Sequence, residues 1–445
     1  MRAGKNILKI TAVILSLALS GCAAEEKAAP VSAAISADAS LTETTSALQT
    51  EQGTVSDGIS EEKERSEETV DLSDEAAEET PLPQVSEENK QRFSERLWEI
   101  YSDYAVTGMS VALFRGGEII HTENLGYADV GNKLPCCDNT RYRVASVSKT
   151  VSAMILMQLC EKGMLTLDEP LSEAVGIEYD AAGCSEKVTL AHLLTHTAGL
   201  FDPWDYLYNI KARLSVNDVL KTAHSGYEPG TVYNYSNFGA GTIGAVVEAV
   251  TGEYFHDYAR DSFFEPLGMD AGYVIDLIDD KESAANIYDY DGQIYRVKSW
   301  GRTSAFYESF GLGNSYYSAQ CELIITASDL ARLGIVLAGD GTVDGKRVLS
   351  ESSVKEMNTL RFEAPEFGMG LNVRIYDNII DGRVIYGHPG NALGAVTGLY
   401  YDPADHTGVA VLTNGCLPSK DEFGFYAMIK EVLTEAYECY FSYEN

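Results

Sequence analysis

The sequence has little positive charge. Its 445 residues include 33 Lys and Arg against 67 Asp and Glu, which gives a formal net charge of −34 at pH 7. Proteins that bind nucleic acid neutralise its phosphates with Lys and Arg, so this balance argues against a nucleic-acid partner. We interpret the excess of acidic residues as an aid to solubility rather than as a binding surface.

The N-terminal region lacks the ~20 apolar residues that a transmembrane helix needs. Its apolar run, Ile10–Leu19, is shorter, follows Arg2 and Lys5, and ends in the sequence LSGC at Cys22. These features are typical of a secretory signal, here residues 1–21. The LSGC ending resembles the bacterial lipobox, which would make Cys22 the lipid-bearing first residue of a membrane-anchored protein. An ordinary cleaved signal or an uncleaved anchor remains open, and all three place the chain outside the cytoplasm.

Aromatic residues are absent from the next segment, residues 23–90, where Ala, Ser, Thr and Glu dominate. Eighteen Asp and Glu stand there against four Lys and Arg. Such a composition buries too little apolar surface to offset the entropy of ordering the chain. We therefore expect residues 22–90 to be a disordered acidic tether and residues 91–445 to be a single folded domain.

The eight cysteines lack the spacing of a metal site. Cys136 and Cys137 are adjacent, but no second close pair accompanies them, which argues against a zinc centre. If Cys22 carries lipid, the remaining seven cannot all pair within one chain, so at least one thiol is free. The disulfide pairing stays open.

The hydrophobic pattern of residues 91–445 predicts an α/β domain. Helical spacing of Phe93, Leu97, Ile100 and Tyr104 predicts an opening helix, and two apolar segments around the turn at residues 115–117 predict a pair of strands. Further helices are expected at 151–160, 239–250 and 423–437, and strands at 384–386, 395–401 and 408–413. We expect the N- and C-terminal segments to close one sheet.

A Ser-x-x-Lys sequence at Ser146 and Lys149 directly precedes the predicted helix 151–160. Residues three apart lie on the same face of a helix, so the hydroxyl and the amine can meet. A serine becomes a nucleophile when a base removes its proton, and burial and neighbouring cations favour the neutral amine that such a base requires. The N–H groups at a helix start also favour developing negative charge.

Two further motifs follow in order: Tyr-Ser-Asn at Tyr235–Asn237 and His-Pro-Gly at His388–Gly390. With Ser-x-x-Lys they resemble the class C β-lactamase, D,D-peptidase and esterase family of serine hydrolases, in the Tyr-x-Asn and His-x-Gly forms of the signature. Three other segments resemble family stretches: Leu165–Leu171 (LTLDEPL), Leu193–Leu200 (LLTHTAGL) and Val411–Gly415 (VLTNG). The resemblance covers about residues 108–415. It implies a β-lactamase/transpeptidase-like fold, an antiparallel sheet flanked by helices with an inserted, mainly helical subdomain.

The resemblance also implies roles for individual residues. Ser146 would attack the carbonyl and form an acyl-enzyme, Lys149 and Tyr235 would relay its proton, and no cofactor or metal would take part. Asn237 would orient the substrate amide, and the N–H groups of Ser146 and Asn391 would form the oxyanion hole. In this comparison His388 and Gly390 belong to the strand that lines the site.

His388 departs from the related signature, which has lysine at that position. A fixed lysine helps to bind a substrate carboxylate, whereas a histidine is largely neutral near pH 7. Pro389 likewise lacks the hydroxyl and the N–H that a threonine would offer. The departure puts efficient β-lactamase activity in doubt and leaves peptidase and esterase activities open.

Other patterns have structural explanations. The sequence from Gly239 to Gly244 matches Gly-x-Gly-x-x-Gly but follows Tyr-x-Asn, so close helix packing explains it better than dinucleotide binding. His192 and His196 lack the Glu and the third ligand of a zinc site, and we interpret them as structural. An aromatic cluster after Leu200 either forms the core of a loop or lines the substrate cleft: Phe201, Trp204, Tyr206 and Tyr208.

These observations predict a serine hydrolase at the cell surface that acts on D-Ala-containing peptides, esters or related amides. The expected substrate is a small molecule or peptide, and fragments of the cell wall are among the candidates. The alternative is a catalytically silent lipoprotein that keeps the penicillin-recognising fold as a binding or sensor module. The presence of Ser146, Lys149 and Tyr235 favours the enzyme, since loss of any one would cripple acylation.

Overall fold

A computed structural model describes residues 84–442 except 175, 177–186, 205, 207–212, 291–294 and 299–301. Residues 82–445 form one compact unit. Cys22, the signal and nearly all of the expected tether lie outside the described residues, as does Tyr208. No helix in the described ranges is long and apolar enough to cross a membrane.

The described residues form helices and strands with the following bounds. The helices are α1 (Glu87–Asp103), α2 (Ser148–Glu161), α3 (Leu171–Ala174), α4 (Leu190–Leu194), α5 (Val216–Leu220), α6 (Asn237–Thr251), α7 (Phe255–Tyr258), α8 (Ser304–Glu308), α9 (Ser318–Cys321), α10 (Ala327–Ala338), α11 (Glu351–Asn358) and α12 (Ala427–Ala436). The strands are β1 (Gly108–Arg115), β2 (Glu118–Asp129), β3 (Leu134–Pro135), β4 (Arg141–Arg143), β5 (Ile287–Tyr290), β6 (Tyr295–Lys298), β7 (Ile324–Thr326), β8 (Thr342–Val343), β9 (Lys346–Arg347), β10 (Phe362–Glu363), β11 (Gly368–Met369), β12 (Arg374–Tyr376), β13 (Ile385–Ala392), β14 (Ala395–Asp402) and β15 (Thr407–Thr413).

Nine strands form one antiparallel sheet in the order β10-β11-β12-β13-β14-β15-β1-β2-β3. The N-terminal hairpin β1–β2 pairs with the C-terminal strand β15, so Val111 lies opposite Val411. The two ends of the domain therefore close the sheet together, as the apolar pattern predicts. The region between β4 and β10 is mainly helical, which agrees with the expected insertion.

The sheet separates two hydrophobic cores. Alternate residues of a strand point to opposite faces, and in β1 Val111 and Leu113 belong to one core whereas Ala112 and Phe114 belong to the other. Helices α1 and α12 cover the first face, and α2 and α10 contribute to the core on the second. Burial on both faces explains why β14 and β15 are buried throughout.

Three boundaries differ from the sequence-based expectations. Helix α1 begins at Glu87, where the side chain of Ser86 caps it by accepting from Asn89 N, so the predicted domain boundary at residue 91 lies inside a helix. The C-terminal helix begins at Ala427 rather than 423. The carboxylate of Asp421 accepts two backbone N–H groups in residues 423–425, and Gly424 has a φ of 78°, so this segment forms a turn.

The third difference concerns the strand predicted at 384–386, which extends from Ile385 to Ala392 in the structure, so that the His-Pro-Gly motif lies inside β13. Strand β12 pairs only with Ile385–Gly387. Pro389 therefore lies beyond the part of β13 that pairs with β12. It pairs only with β14, where it lies opposite Gly398. A proline is tolerated there because one side of the strand no longer needs ladder N–H groups.

Candidate active site

Ser146 lies in a single 3₁₀ turn, Ala145–Val147, directly before α2. Ala145 has a φ of 48°, an uncommon conformation for a residue other than glycine, and local strain of this kind clusters at functional sites. The turn is held against the sheet because Thr397 Oγ1 donates to the carbonyl of Val144 over 2.7 Å. Its position is thus set by both α2 and β14.

Lys149 lies one helical turn after Ser146 and is fully buried. Its Nζ donates to Ser146 Oγ at 3.1 Å and to Asn237 Oδ1 at 3.0 Å. A third bond, of 2.9 Å, goes to the carbonyl of Gln320 in α9. The hydroxyl and the amine therefore meet on one helical face, and the amine links α2 to the start of α6 and to α9.

Asn237 is the first residue of α6, and Ser236 is its N-cap. The amide of Asn237 is held on both sides: Oδ1 accepts from Lys149, and Nδ2 donates to Asp202 Oδ2 at 2.9 Å. The other carboxylate oxygen of Asp202 accepts from Ser236 Oγ and from Phe238 N, both at 2.9 Å. Asp202, in the loop that follows Leu200, thus holds the start of α6 in place.

Tyr235 presents its ring to two cations and a histidine. Lys149 Nζ lies 5.1 Å and the Arg374 guanidinium carbon 5.6 Å from the ring centroid. The His196 ring lies on the Tyr235 ring with centroids 4.3 Å apart, and Ser236 N–H donates to His196 Nδ1 at 3.3 Å. His196, which we interpreted as structural, therefore helps to position the Tyr-x-Asn segment.

Two buried histidines near Tyr235 are neutral. Burial lowers the pKa of His388 well below its usual value, and the charges of Arg374 and Lys149 lower it further. Burial, together with the same two cations, also lowers the pKa of His196 well below the ordinary range. His388 Nδ1 donates to the carbonyl of Pro389 at 2.6 Å, which leaves Nε2 as an acceptor. No cation is supplied at the position where the related signature has lysine.

Gly390 allows β13 to approach the turn that carries Ser146. A Cβ on Gly390 would lie 2.3 Å from the carbonyl oxygen of Val144 and 2.2 Å from Thr397 Oγ1, so only glycine fits. Gly390 therefore packs behind the site, and its neighbour Asn391 lines the cleft. Close approach of backbone to backbone is the physical reason for the glycine of His-x-Gly.

Arg374 is a site residue that the motif search missed. It lies in the short strand β12 and lines the same cleft as Ser146. Its guanidinium carbon lies 4.3 Å from the centroid of the Phe367 ring, and its Nε is buried with no hydrogen-bond partner in the described part of the chain. The available signal was a single cation within the otherwise apolar run Val373–Tyr376.

The cleft has a volume of about 720 Å³. It is lined by residues from the turn that carries Ser146, the start of α6, β12, β13 and two loops: Ser146, Tyr235, Asn237, Glu366, Phe367, Arg374, Tyr376, His388, Pro389, Asn391, Lys420, Asp421, Glu422, Phe423, Gly424, Phe425 and Tyr426. The residues predicted from all three motifs therefore converge. Within the described ranges, no group of three or more His, Cys, Asp and Glu is arranged to hold a metal ion.

The aromatic cluster after Leu200 divides into two parts. Tyr206 is buried and stacks on Tyr317 with centroids 4.8 Å apart, so it belongs to the core. Phe201 and Trp204 are exposed, and neither is among the residues that line the cleft. No disulfide joins the cysteines that the structure describes, and Cys184 lies outside the described residues.

The fold and the site together define a class. An antiparallel sheet flanked by helices, with a Ser–Lys pair at a helix start facing a Tyr-x-Asn segment, is a β-lactamase/transpeptidase-like architecture. The chain belongs to the β-lactamase family, whose model, described as Beta-lactamase, matches residues 86–431. This confirms the family resemblance predicted from the motifs.

Relatives and solved structures agree with this assignment. The chain is 27% identical over 335 residues to penicillin-binding protein 4 of Amycolatopsis lactamdurans, covering 73% of this chain and 84% of that protein. Its fold is similar to the β-lactamase/D-alanine carboxypeptidase of Pseudomonas syringae, with TM-score 0.64, 17% identity and coverage of 80% and 100%. It is also similar to EstCE1, a hydrolase with promiscuous acyltransferase activity, with TM-score 0.62, 22% identity and coverage of 80% and 100%.

Proposed function

We propose that this protein is a serine acyl hydrolase that works through an acyl-enzyme on Ser146. The observation that carries the proposal is the 3.1 Å hydrogen bond between Ser146 Oγ and the buried Lys149 Nζ at the edge of the cleft. A buried lysine beside a serine hydroxyl is suited to take part in proton transfer.

In the proposed reaction, Ser146 Oγ bonds to the substrate carbonyl carbon while its proton passes to the Tyr235–Lys149 pair. The N–H groups of Ser146 and Asn391 would stabilise the oxyanion. The same pair would return the proton to the leaving amine or alcohol as the tetrahedral intermediate collapses. A water molecule would then attack the acyl-enzyme, its proton returning to Ser146 Oγ and the acid leaving the cleft.

Arg374 supports a substrate that carries a carboxylate. It is a cation in the wall of the cleft, and a guanidinium group is suited to bind a carboxylate through charge-assisted hydrogen bonds. It can take over the charge that the neutral His388 does not supply. We therefore propose peptides that end in D-Ala as the leading substrate class. The carboxypeptidase named among the structural neighbours is consistent with this choice.

Ester hydrolysis is the second candidate. The cleft also presents Phe367, Phe423 and Phe425, which would suit an uncharged acyl group, and Pro389 offers no N–H to a substrate carboxylate. EstCE1 is a hydrolase of similar fold. The two candidates share the chemistry of Ser146 and differ in whether activity depends on Arg374.

Intact-mass spectrometry tests the shared step. The full chain is incubated with a fluorophosphonate and, separately, with benzylpenicillin. We expect one covalent adduct per chain in each case and no adduct with Ser146→Ala, because the attacking oxygen is gone. A long-lived penicilloyl adduct favours the D,D-peptidase-like role. If neither reagent labels the unmodified chain, the protein is instead a silent binding module of the same fold.

We also propose that a lipid on Cys22 anchors the protein to the outer face of the bacterial membrane. The proposal rests on the basic N-terminus and the LSGC sequence. Metabolic labelling with an alkyne-tagged fatty acid should mark the full chain and not Cys22→Ala. Equal labelling of both would place any lipid elsewhere and overturn the assignment.

A further inference from the structure

The carboxylate of Asp202 reaches the catalytic lysine through one intervening side chain. Asp202 Oδ2 accepts from Asn237 Nδ2 at 2.9 Å, and Asn237 Oδ1 accepts from Lys149 Nζ at 3.0 Å. A half-turn of the Asn237 amide would point its NH₂ group at the Lys149 ammonium and its oxygen at the Asp202 carboxylate. Both hydrogen bonds would be lost, at a cost that is large in a half-buried site.

The charged and polar groups around Lys149 indicate what these two hydrogen bonds do. A buried ammonium group is unfavourable unless an opposite charge compensates it. The three acceptors that Lys149 contacts are all uncharged: Ser146 Oγ, Asn237 Oδ1 and the Gln320 carbonyl. Among the described residues, the other titratable or charged groups near it are not carboxylates: Tyr235, His196, His388, Cys321 and Arg374, which contacts the same Tyr235 ring.

We propose that Asp202 is a positioning residue for the reaction, which orients Asn237 and supplies the negative charge that opposes Lys149. The proposal rests on the proposed function, since it assigns Asp202 a role in activating Ser146. Asp202 does not itself line the cleft, so it acts through Asn237 rather than on the substrate.

A purely structural role for Asp202 must be separated from this one. Its second oxygen accepts from Ser236 Oγ and Phe238 N at the start of α6, which is a helix-capping arrangement. Ser236 also caps the helix by accepting from Gly239 N at 2.9 Å. Ser236→Ala therefore weakens the cap and one bond to Asp202 while leaving the bond from Asn237 to Asp202 in place, and it serves as the matched control.

The rate of labelling of Ser146 by a fluorophosphonate, followed from pH 5 to pH 10, tests the proposal in the full chain. For Asp202→Asn we expect the second-order rate constant to fall roughly 10- to 100-fold, the range for loss of a hydrogen bond to a charged group. We also expect the acidic limb of the profile to move to lower pH, because the protonated base loses its opposing charge. Ser236→Ala should lower the thermal midpoint and leave the acidic limb where it is.

A double-mutant cycle tests whether the effect of Asp202 on Lys149 is transmitted by Asn237. If Asp202 acts through Asn237, Asp202→Asn should cost little further rate in an Asn237→Ala background. Additive losses, an unshifted acidic limb, or a Ser236→Ala variant that reproduces the Asp202→Asn profile would each overturn the inference. Absence of labelling in the unmodified chain is a different result, because it removes the proposed function itself and the positioning role with it.

A second variant keeps the test possible if Asp202→Asn does not fold. Should Asp202→Asn prove unfolded in thermal denaturation, Asp202→Glu replaces it, since Glu keeps the charge and the acceptor atoms but displaces them by one methylene. We then expect a partial loss of rate with the acidic limb unmoved, because the orientation is disturbed and the charge is kept. An unchanged rate constant for Asp202→Glu would overturn the inference.

Discussion

Single residues decide the charge of the cleft. Arg374 lies in its wall, and both this cation and the buried Lys149 lie near the centroid of the Tyr235 ring, at 5.6 and 5.1 Å. His388, at the position of a lysine in the related signature, is neutral because burial lowers its pKa. A substrate carboxylate would therefore meet its cation on β12 rather than on β13.

This arrangement predicts the effect of Arg374→Met. We expect kcat/KM for an N-acylated D-Ala-D-Ala peptide to fall about 100-fold, the range for loss of a charged hydrogen bond. Hydrolysis of the uncharged p-nitrophenyl butyrate should change little. Steady-state kinetics on both substrates check this, with Arg383→Met as the control because Arg383 pairs with Asp402 and Asp405 outside the cleft. Equal losses on both substrates would contradict a carboxylate-binding role.

At the scale of secondary-structure elements, α6 depends on two glycines. A Cβ on Gly241 would lie 1.8 Å from the carbonyl oxygen of Tyr316, and one on Gly244 would lie 2.2 Å from that of Ser315. The segment before α9 therefore packs directly on the helix backbone. Since Gln320 in α9 accepts from Lys149, this close approach also positions the site. The structure thus confirms helix packing as the reason for the Gly-x-Gly-x-x-Gly pattern.

Gly241→Ala should be strongly destabilising. The added methyl group overlaps a backbone carbonyl that has no side-chain freedom to move, and we expect the free energy of unfolding to fall by about 2–3 kcal/mol. In Gly239→Ala, the matched control, the nearest atom lies at 3.4 Å, so the methyl group is accommodated. Urea denaturation of both variants checks the difference. Equal midpoints would show that the segment before α9 can move away from α6 at little cost.

At the scale of the whole molecule, buried titratable groups link folding to pH. His196 and His388 have pKa values well below those of the unfolded chain, so the unfolded state binds more protons. Their contribution to stability is present above pH ~6.5 and is lost as the pH falls toward their folded values. Glu248 has the opposite effect on the pH dependence of stability. Burial raises the pKa of its carboxyl group to about 7, although the four backbone N–H groups that donate to it oppose this rise.

We expect His196 and His388 each to lower the free energy of unfolding by roughly 2 kcal/mol between pH 7 and pH 5. His388→Asn removes one titrating group and should reduce the loss by about that amount. Urea denaturation of the unmodified chain and of His388→Asn at both pH values checks this. An identical loss in both proteins would show that His388 does not titrate on unfolding.

Much of the fold and the catalytic motifs could be predicted from local patterns. Helix α1, the hairpin β1–β2 and helix α2 follow from periodicity and turn residues, because these depend on neighbours only a few residues apart. The pairing of Ser146 with Lys149 follows for the same reason, since three residues of helix place them on one face.

Tertiary structure alone decided the rest. Arg374 reaches the cleft because β12 pairs with β13, and Asp202 reaches Lys149 because a loop folds onto the start of α6. The segment at 423–426 has helical spacing, but side-chain bonds from Asp421 hold it as a cleft-lining turn. Contacts between residues far apart in the chain have no periodicity in the sequence. The sequence by itself determined the Ser-x-x-Lys, Tyr-x-Asn and His-x-Gly motifs, whereas the charge and orientation of the groups around Ser146 come from packing.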